Sequence, residues 1–140
     1  YEDFRFETSH VLPSLIRKVV ERHNPIEVWG TGEQRKDFIY ADDVFDACLL
    51  ALEKVDKFDV FNVGFGKEYS IRELLEIIID IDDYKTAKIV YNASKPSTIN
   101  KRSLDTSKAK KLLAFKPKTT LKEGIGRMIA RYRENPVRQT

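Results

Sequence analysis

Six glycines fall in three pairs, at 30 and 32, 64 and 66, and 124 and 126, and their placement limits what this chain can fold into. A dinucleotide-binding fold needs a glycine-rich turn between a strand and a helix, where backbone N–H groups can approach a pyrophosphate. Gly30-Thr31-Gly32 runs into charged residues and a further extended segment. Gly64-Phe65-Gly66 leads to a helix but lacks a third glycine three residues on. Neither builds that cradle. A doubly wound nucleotide fold is not expected in these 140 residues.

Hydrophobic residues make up 41% and charged residues 34%, enough apolar surface for one modest core. No apolar run approaches the roughly 18–20 residues of a membrane span. The start, Tyr1-Glu2-Asp3-Phe4-Arg5, has neither a basic segment nor an apolar stretch, so no signal peptide is expected. A single cysteine, Cys48, excludes an internal disulfide and a Cys-rich zinc site. These features make a cytoplasmic location the expectation. The balance of 25 basic and 22 acidic residues, net +3, is too even to argue for nucleic acid. Basic residues do lean toward the C-terminal half, at Lys101, Arg102, Lys108, Lys110, Lys111, Lys116 and Lys118. A solvated helix face and a seat for a phosphorylated ligand both account for that.

Leu12, Leu15, Ile16, Val19 and Val20 recur at helical spacing, which predicts a helix over about 9–23, with Thr8 or Ser9 as its cap. Asn24-Pro25 stops it. Extended segments are expected over 26–29 and 36–40, with a turn at 30–33 between them. Val44, Ala47, Cys48, Ala51 and Leu52 give the next helix, over 42–54, an apolar face. Residues 60–63 read as a buried-type strand. Ser70-Ile71-Arg72-Glu73 is a capping box opening a helix to about residue 79, and 88–91 is a further strand. Asp105-Thr106-Ser107 caps a short helix ending near Leu113. Thr120-Leu121-Lys122-Glu123 opens a last helix to about 134, which Asn135-Pro136 closes. Helices alternating with short strands make the class α/β.

No self-contained active site is legible. His10 and His23 lack metal-ligand spacing, and no Gly-x-Ser-x-Gly elbow is present. Asp42-Asp43 and Asp82-Asp83 are sequence neighbours whose side chains point different ways; the first pair suits the start of a helix. The residues alone describe an α/β module that binds something anionic.

Four ordered blocks carry a family resemblance. Val28-Trp29-Gly30-Thr31-Gly32-Glu33-Gln34-Arg35-Lys36-Asp37-Phe38-Ile39-Tyr40-Ala41-Asp42-Asp43 resembles the signature of nucleotide-sugar epimerases, dehydratases and reductases, the extended short-chain dehydrogenase/reductase enzymes. Phe61-Asn62-Val63-Gly64-Phe65-Gly66 with Ser70-Ile71-Arg72-Glu73-Leu74 is similar to the next block. Asp105-Thr106-Ser107-Lys108-Ala109 with Leu112-Leu113-Ala114-Phe115-Lys116-Pro117, and Thr120-Leu121-Lys122-Glu123-Gly124-Ile125, resemble the last two. Thr8-Ser9-His10-Val11-Leu12-Pro13-Ser14-Leu15-Ile16-Arg17-Lys18 is most similar to the GDP-L-fucose synthase branch.

The resemblance implies that residues 1–140 are a C-terminal substrate-binding domain, a small lobe lacking the Rossmann half. The parent would be an NAD- or NADP-dependent enzyme acting on a nucleotide-diphosphate sugar. The fragment itself would bind no cofactor and turn nothing over. Arg35 would contact the diphosphate, where a planar guanidinium can hold two oxygens at once. Trp29, Val28 and Thr31 would line the nucleotide pocket, with Val11, Leu15 and Lys18 bordering it from one helix face. Arg102 and Lys95 are further candidates for the diphosphate or ribose, although Lys95-Pro96-Ser97-Thr98 departs from the family pattern. His10 would be the catalytic acid, an imidazole titrating near neutrality beside a keto group. Expected partners are the nucleotide-diphosphate sugar, the N-terminal Rossmann domain and, through exposed apolar surface, a second copy in a homodimer. Nucleic acid and membrane are not expected. A stand-alone, non-catalytic nucleotide-sugar-binding or regulatory module is the competing reading.

Overall fold

The computed structural model describes residues 4–6, 10–95 and 101–136. Helix α1 spans Val11–Val20 and buries Leu15, Ile16 and Val19, the stripe its spacing predicts. The expected caps Thr8 and Ser9 lie outside the described residues. The N-cap position is His10, whose side chain makes no capping bond. At the other end the helix stops short of His23. Arg22 takes a left-handed φ of 59°, and its N–H and that of His23 return to the carbonyls of Val19 and Lys18. These bonds close the last turn before Asn24-Pro25 is reached.

Strand β1 (Ile26–Trp29) follows, then β2 (Arg35–Asp37) and helix α2 (Ala41–Lys54). Strand β3 (Glu68–Ser70) runs directly into α3 (Ile71–Ile81), and β4 (Ile89–Asn92) and β5 (Lys101–Arg102) follow. A π-helical segment, Ala109–Leu113, precedes α4 (Leu121–Glu134). β1 pairs in parallel with β4, from Ile26 opposite Ile89 to Trp29 opposite Asn92. β2 lies between β3, antiparallel, and β5, parallel. Among the described residues the sheets are therefore of two and three strands, mixed with helices.

α1, α3 and α4 enclose the main core with the inner face of β1. α3 supplies Ile71, Leu74, Leu75 and Ile78, each burial stabilising by about 1.5–3 kcal/mol. Its start is fixed as its sequence predicts. Ser70 Oγ accepts from the Glu73 N–H at 3.0 Å, and a Glu73 carboxylate oxygen accepts from the Ser70 N–H at 2.6 Å. A smaller cluster joins Ala47 of α2 to Ala109, Leu113 and Phe115. Asp43 ties that region to the approach to α4, its carboxylate accepting from the Lys118 and Thr119 N–H groups at 3.0 Å each. The Asp82 carboxylate, with no exposed side-chain surface, sits between Arg22 at 2.6 Å and Arg133 at 2.5 Å. It thereby joins the C-terminal ends of α1, α3 and α4.

Two expectations are corrected. Residues 60–63 form no strand: no described segment lies alongside to accept their backbone, and Val60 is 65% exposed. α2 does not bury the apolar face its spacing predicts. Ala47 is enclosed, but Cys48 is exposed and Leu52 is 82% exposed. The small cluster reaches only one edge of the helix.

Candidate functional site

Strand alternation sends Ile26 and Val28 into the core and Glu27 and Trp29 outward. On the paired strand, Asn92 stands opposite Trp29. The Asn92 amide donates to a Glu27 carboxylate oxygen at 2.8 Å. From α1, Lys18 Nζ donates to the Glu27 backbone carbonyl at 2.7 Å. From the turn after β4, Lys95 Nζ sits 5.5 Å from the centre of the Trp29 ring. The Asn92 amide holds the Glu27 carboxyl below its ordinary value, assisted by Lys18, Lys95 and the Trp29 indole N–H against partial desolvation. Burial pushes the Lys18 ammonium down, against the attraction of Glu27. The indole itself is 56% exposed. A flat aromatic surface with an ammonium group beside it can take a planar, anionic ligand.

The loop from Gly30 to Gln34 connects this face to β2. Gly32 has a φ of 81°, and a side chain there would meet the Tyr91 ring at 2.4 Å, so the turn requires glycine. The Gly32 and Gln34 carbonyls accept from the Arg72 and Ile71 N–H groups at the start of α3. Thr31 is exposed, its hydroxyl accepting from the Glu33 N–H at 3.4 Å. Arg35 Nη2 donates to the Glu68 carbonyl at 3.1 Å and pairs with Glu73 at 3.0 Å. The capping box therefore holds the arginine in place, with 41% of its side chain open.

A separate cleft of about 800 Å³ lies between the N-terminal end of α1, the β2–α2 connection and the first turns of α4. His10, Val11, Lys36, Phe38, Tyr40 and Met128 are among its walls.

The ten expected site residues thus divide. His10 and Val11 line the cleft. Lys95 lies beside Trp29 on the outer face of β1 and β4, Lys18 is bonded to the Glu27 carbonyl of the same strand, and Thr31 and Arg35 follow on the next loop and strand. Leu15 and Val28 lie in the core, each 3% exposed, where the inner faces of α1 and β1 pack. Arg102 is opposite Lys36 in the β2–β5 register. Glu27 and Asn92 were missed. The period-2 alternation of a strand places residue 27 beside residue 29, so Glu27 was findable; Asn92 enters only through a long-range pairing. Of the C-terminal basic residues, Lys108 pairs with Asp59 and Lys118 with Asp46. Those two are surface partners of α2 and its following loop. Among the described residues no group of three His, Cys, Asp or Glu could hold a metal ion, and no helix is long and apolar enough to cross a membrane.

Residues 2–64 match the model of the NAD dependent epimerase/dehydratase family. The chain is similar to this family in sequence and in fold. Within that family the chain is similar to GDP-L-fucose synthases. It is 34% identical to a putative GDP-L-fucose synthase 2 of Arabidopsis thaliana, over 99% of this chain and 43% of that protein. It is 36% identical to a probable GDP-L-fucose synthase 1 of Oryza sativa, over 97% of this chain and 42% of that one. The crystal structure of a Thermotoga maritima UDP-glucose 4-epimerase with UDP-glucose superposes with a TM-score of 0.84 at 31% identity, covering 95% of this chain and 42% of that one. The chain spans less than half the length of the relatives it matches.

Proposed function

We propose that residues 1–140 are the nucleotide-sugar-binding, C-terminal domain of an NAD(P)-dependent nucleotide-sugar epimerase or reductase of the GDP-L-fucose synthase kind. The observation that carries this reading is the exposed Trp29 indole on the outer face of β1, with Lys95 5.5 Å from its centre and Lys18 bonded to the neighbouring Glu27 carbonyl. The exposed indole suits a base and the ammonium groups suit a diphosphate. Arg35, held by Glu68 and Glu73, is the further diphosphate contact. His10 at the mouth of the cleft is the acid of the parent reaction.

The described residues do not fit a nicotinamide dinucleotide. Gly30 and Gly32 lead into β2 rather than a helix. At the Gly64–Gly66 loop the Phe65 and Gly66 N–H groups are already taken by the Asp37 carboxylate, at 3.0 and 2.7 Å. The cofactor belongs to an N-terminal Rossmann half, as in an enzyme of the relatives' length. The seat for that half is the outward face of α2. Phe45, Leu49 and Leu52 follow at helical spacing, and Phe58 and Val60 extend the patch, with exposures of 49–94%.

Calorimetry with GDP-, UDP-, CDP- and dTDP-sugars tests the binding reading. Association with at least one of them, and turnover only after addition of the N-terminal half of a GDP-L-fucose synthase, is the expected result. No association with any of the four overturns it.

A further inference from the structure

Residues 60–63 have the residue pattern of a strand but only part of a strand's surroundings. Burial alternates along them: Val60 and Asn62 are exposed, while Phe61 and Val63 are half-buried and pack on the cluster of Ala47, Ala109, Leu113 and Phe115. That is the period of two of an extended chain with one covered face. Leu50 and Ala51 of α2 join the same cluster, so the helix lies against the covered face as a helix lies on a sheet. The backbone has no such partner. Among the described residues, no backbone group of residues 56–64 bonds to another backbone group. In an extended chain, alternate residues turn their N–H and C=O groups to opposite edges. The chain itself closes the edge of Val60. The Val60 N–H donates to Asp59 Oδ1 at 2.7 Å, its carbonyl accepts from Lys108 Nζ at 2.9 Å, and Lys108 pairs with Asp59. On the other edge, the backbone groups of Phe61 and Val63 have no partner among the described residues.

We propose that residues 60–63 add a strand to the β-sheet of the N-terminal half, pairing through the edge that carries the Phe61 and Val63 backbone groups. The chain spans less than half the length of the relatives it matches, which leaves room for a sheet-bearing half outside it. A Rossmann half presents an open sheet, and the last strand of such a sheet has a free row of N–H and C=O groups. Pairing satisfies both rows at once. Helices of an α/β fold lie across the faces of their sheets. α2 covers Phe61 and Val63 with one side and leaves Phe45, Leu49 and Leu52, 49–82% exposed, on another. That open apolar side is the cover for the strand that comes to lie beside residues 60–63. The proposal rests on α2 being the seat of the N-terminal half, and it adds the backbone ladder that fixes the register of the join.

Two readouts in one molecule keep the strand and the helix apart. Cys48, the only cysteine of the chain, is exposed and lies at helical spacing with Phe45, Leu49 and Leu52, so its alkylation reports the seat on α2. Amide hydrogen exchange over residues 61–63 reports backbone pairing. Mass spectrometry reads both on the chain alone and on a full-length hybrid in which it follows the N-terminal half of a GDP-L-fucose synthase. The hybrid is expected to slow exchange over 61–63 by about 10-fold or more and to shield Cys48. Val63→Pro in the hybrid removes a donor from the open edge and should restore fast exchange. Val63→Ala, which also loses packing but keeps the N–H, should stay protected, as should Asn62→Pro on the closed edge. Fast exchange over 61–63 in the unaltered hybrid overturns the proposal, and Cys48 then decides by itself whether the α2 seat stands. Slow exchange with Cys48 still reactive upholds the strand pairing and removes α2 from the seat. Equal loss of protection in Val63→Pro and Val63→Ala would assign it to packing instead of a ladder, and overturns the proposal. Protection already present in the chain alone, and rising with its concentration, would make a second copy the partner and overturns it as well.

Discussion

Arg35 and His10 should fail in different ways when removed from the longer enzyme we propose. A guanidinium on a diphosphate acts in ground and transition states alike, so Arg35→Ala should raise KM with little change in kcat. The cost should be about 1.5–3 kcal/mol, the range of hydrogen bonds to charged groups. His10→Ala should instead lower kcat by about 10²-fold at nearly constant KM, because proton transfer matters only in the transition state. Steady-state kinetics over a panel of nucleotide sugars separates the two; a KM unmoved for every sugar would remove Arg35 from the site. At this scale the sequence was partly legible. Trp29, Lys18 and Lys95 stand out through family resemblance, and the structure puts Lys95 beside the Trp29 ring. Leu15 and Val28 are core residues of this chain, as apolar residues on a helix stripe or the inner face of a strand commonly are. Glu27 escaped because its meaning depends on Asn92, far along the chain and adjacent only once β1 pairs with β4.

The start of α3 and the C-terminal ends of α1, α3 and α4 carry small electrostatic devices. The Ser70 N–H holds the Glu73 carboxyl below its ordinary 4.5, with Ser70 Oγ and Arg35 adding to this against slight desolvation. A carboxyl lowered by folding contributes fully above its unfolded value and loses that contribution as pH falls through the folded value. Urea midpoints should therefore decline below about pH 4.5, and Glu73→Gln should flatten that decline; an unchanged slope would show that the box carries no acid sensitivity. At the opposite ends, Asp82 is enclosed by Arg22 and Arg133, whose side chains are 47% and 57% exposed. Replacing both arginines by alanine leaves a buried carboxylate alone and should cost about 3–5 kcal/mol. Adding Asp82→Asn to that pair should restore part of the loss, and chemical denaturation would read it. Helix positions and both Ser70 and Thr120 caps were legible because they are local patterns. The strand expected at 60–63 was not realised, since a strand is defined by a neighbour and not by its own residues. The short helix expected to end near Leu113 has π geometry, closed by Ala114 at a φ of 55°.

For the molecule as a whole, the outward face of α2 decides how the chain behaves alone. Leu52, 82% exposed, and Phe45, 63% exposed, support little of the chain's own core. Leu52→Asp and Phe45→Asp should change stability by no more than about 0.5 kcal/mol. They should weaken capture of the N-terminal half of a GDP-L-fucose synthase. Undiminished capture would place the seat elsewhere. The α/β class was readable from alternating patterns, whereas the division into two small sheets was not, because both parallel pairings join distant segments. Ile26 stands opposite Ile89, and Arg35 opposite Lys101. That topology has a kinetic consequence. Closing such long loops costs entropy before any contact repays it. α3 with its local box is the segment able to order early, and the β1–β4 ladder must wait until the intervening chain has condensed around it. Ser70→Ala should therefore slow refolding, whereas Val90→Ala on the outer face of that ladder should chiefly speed unfolding.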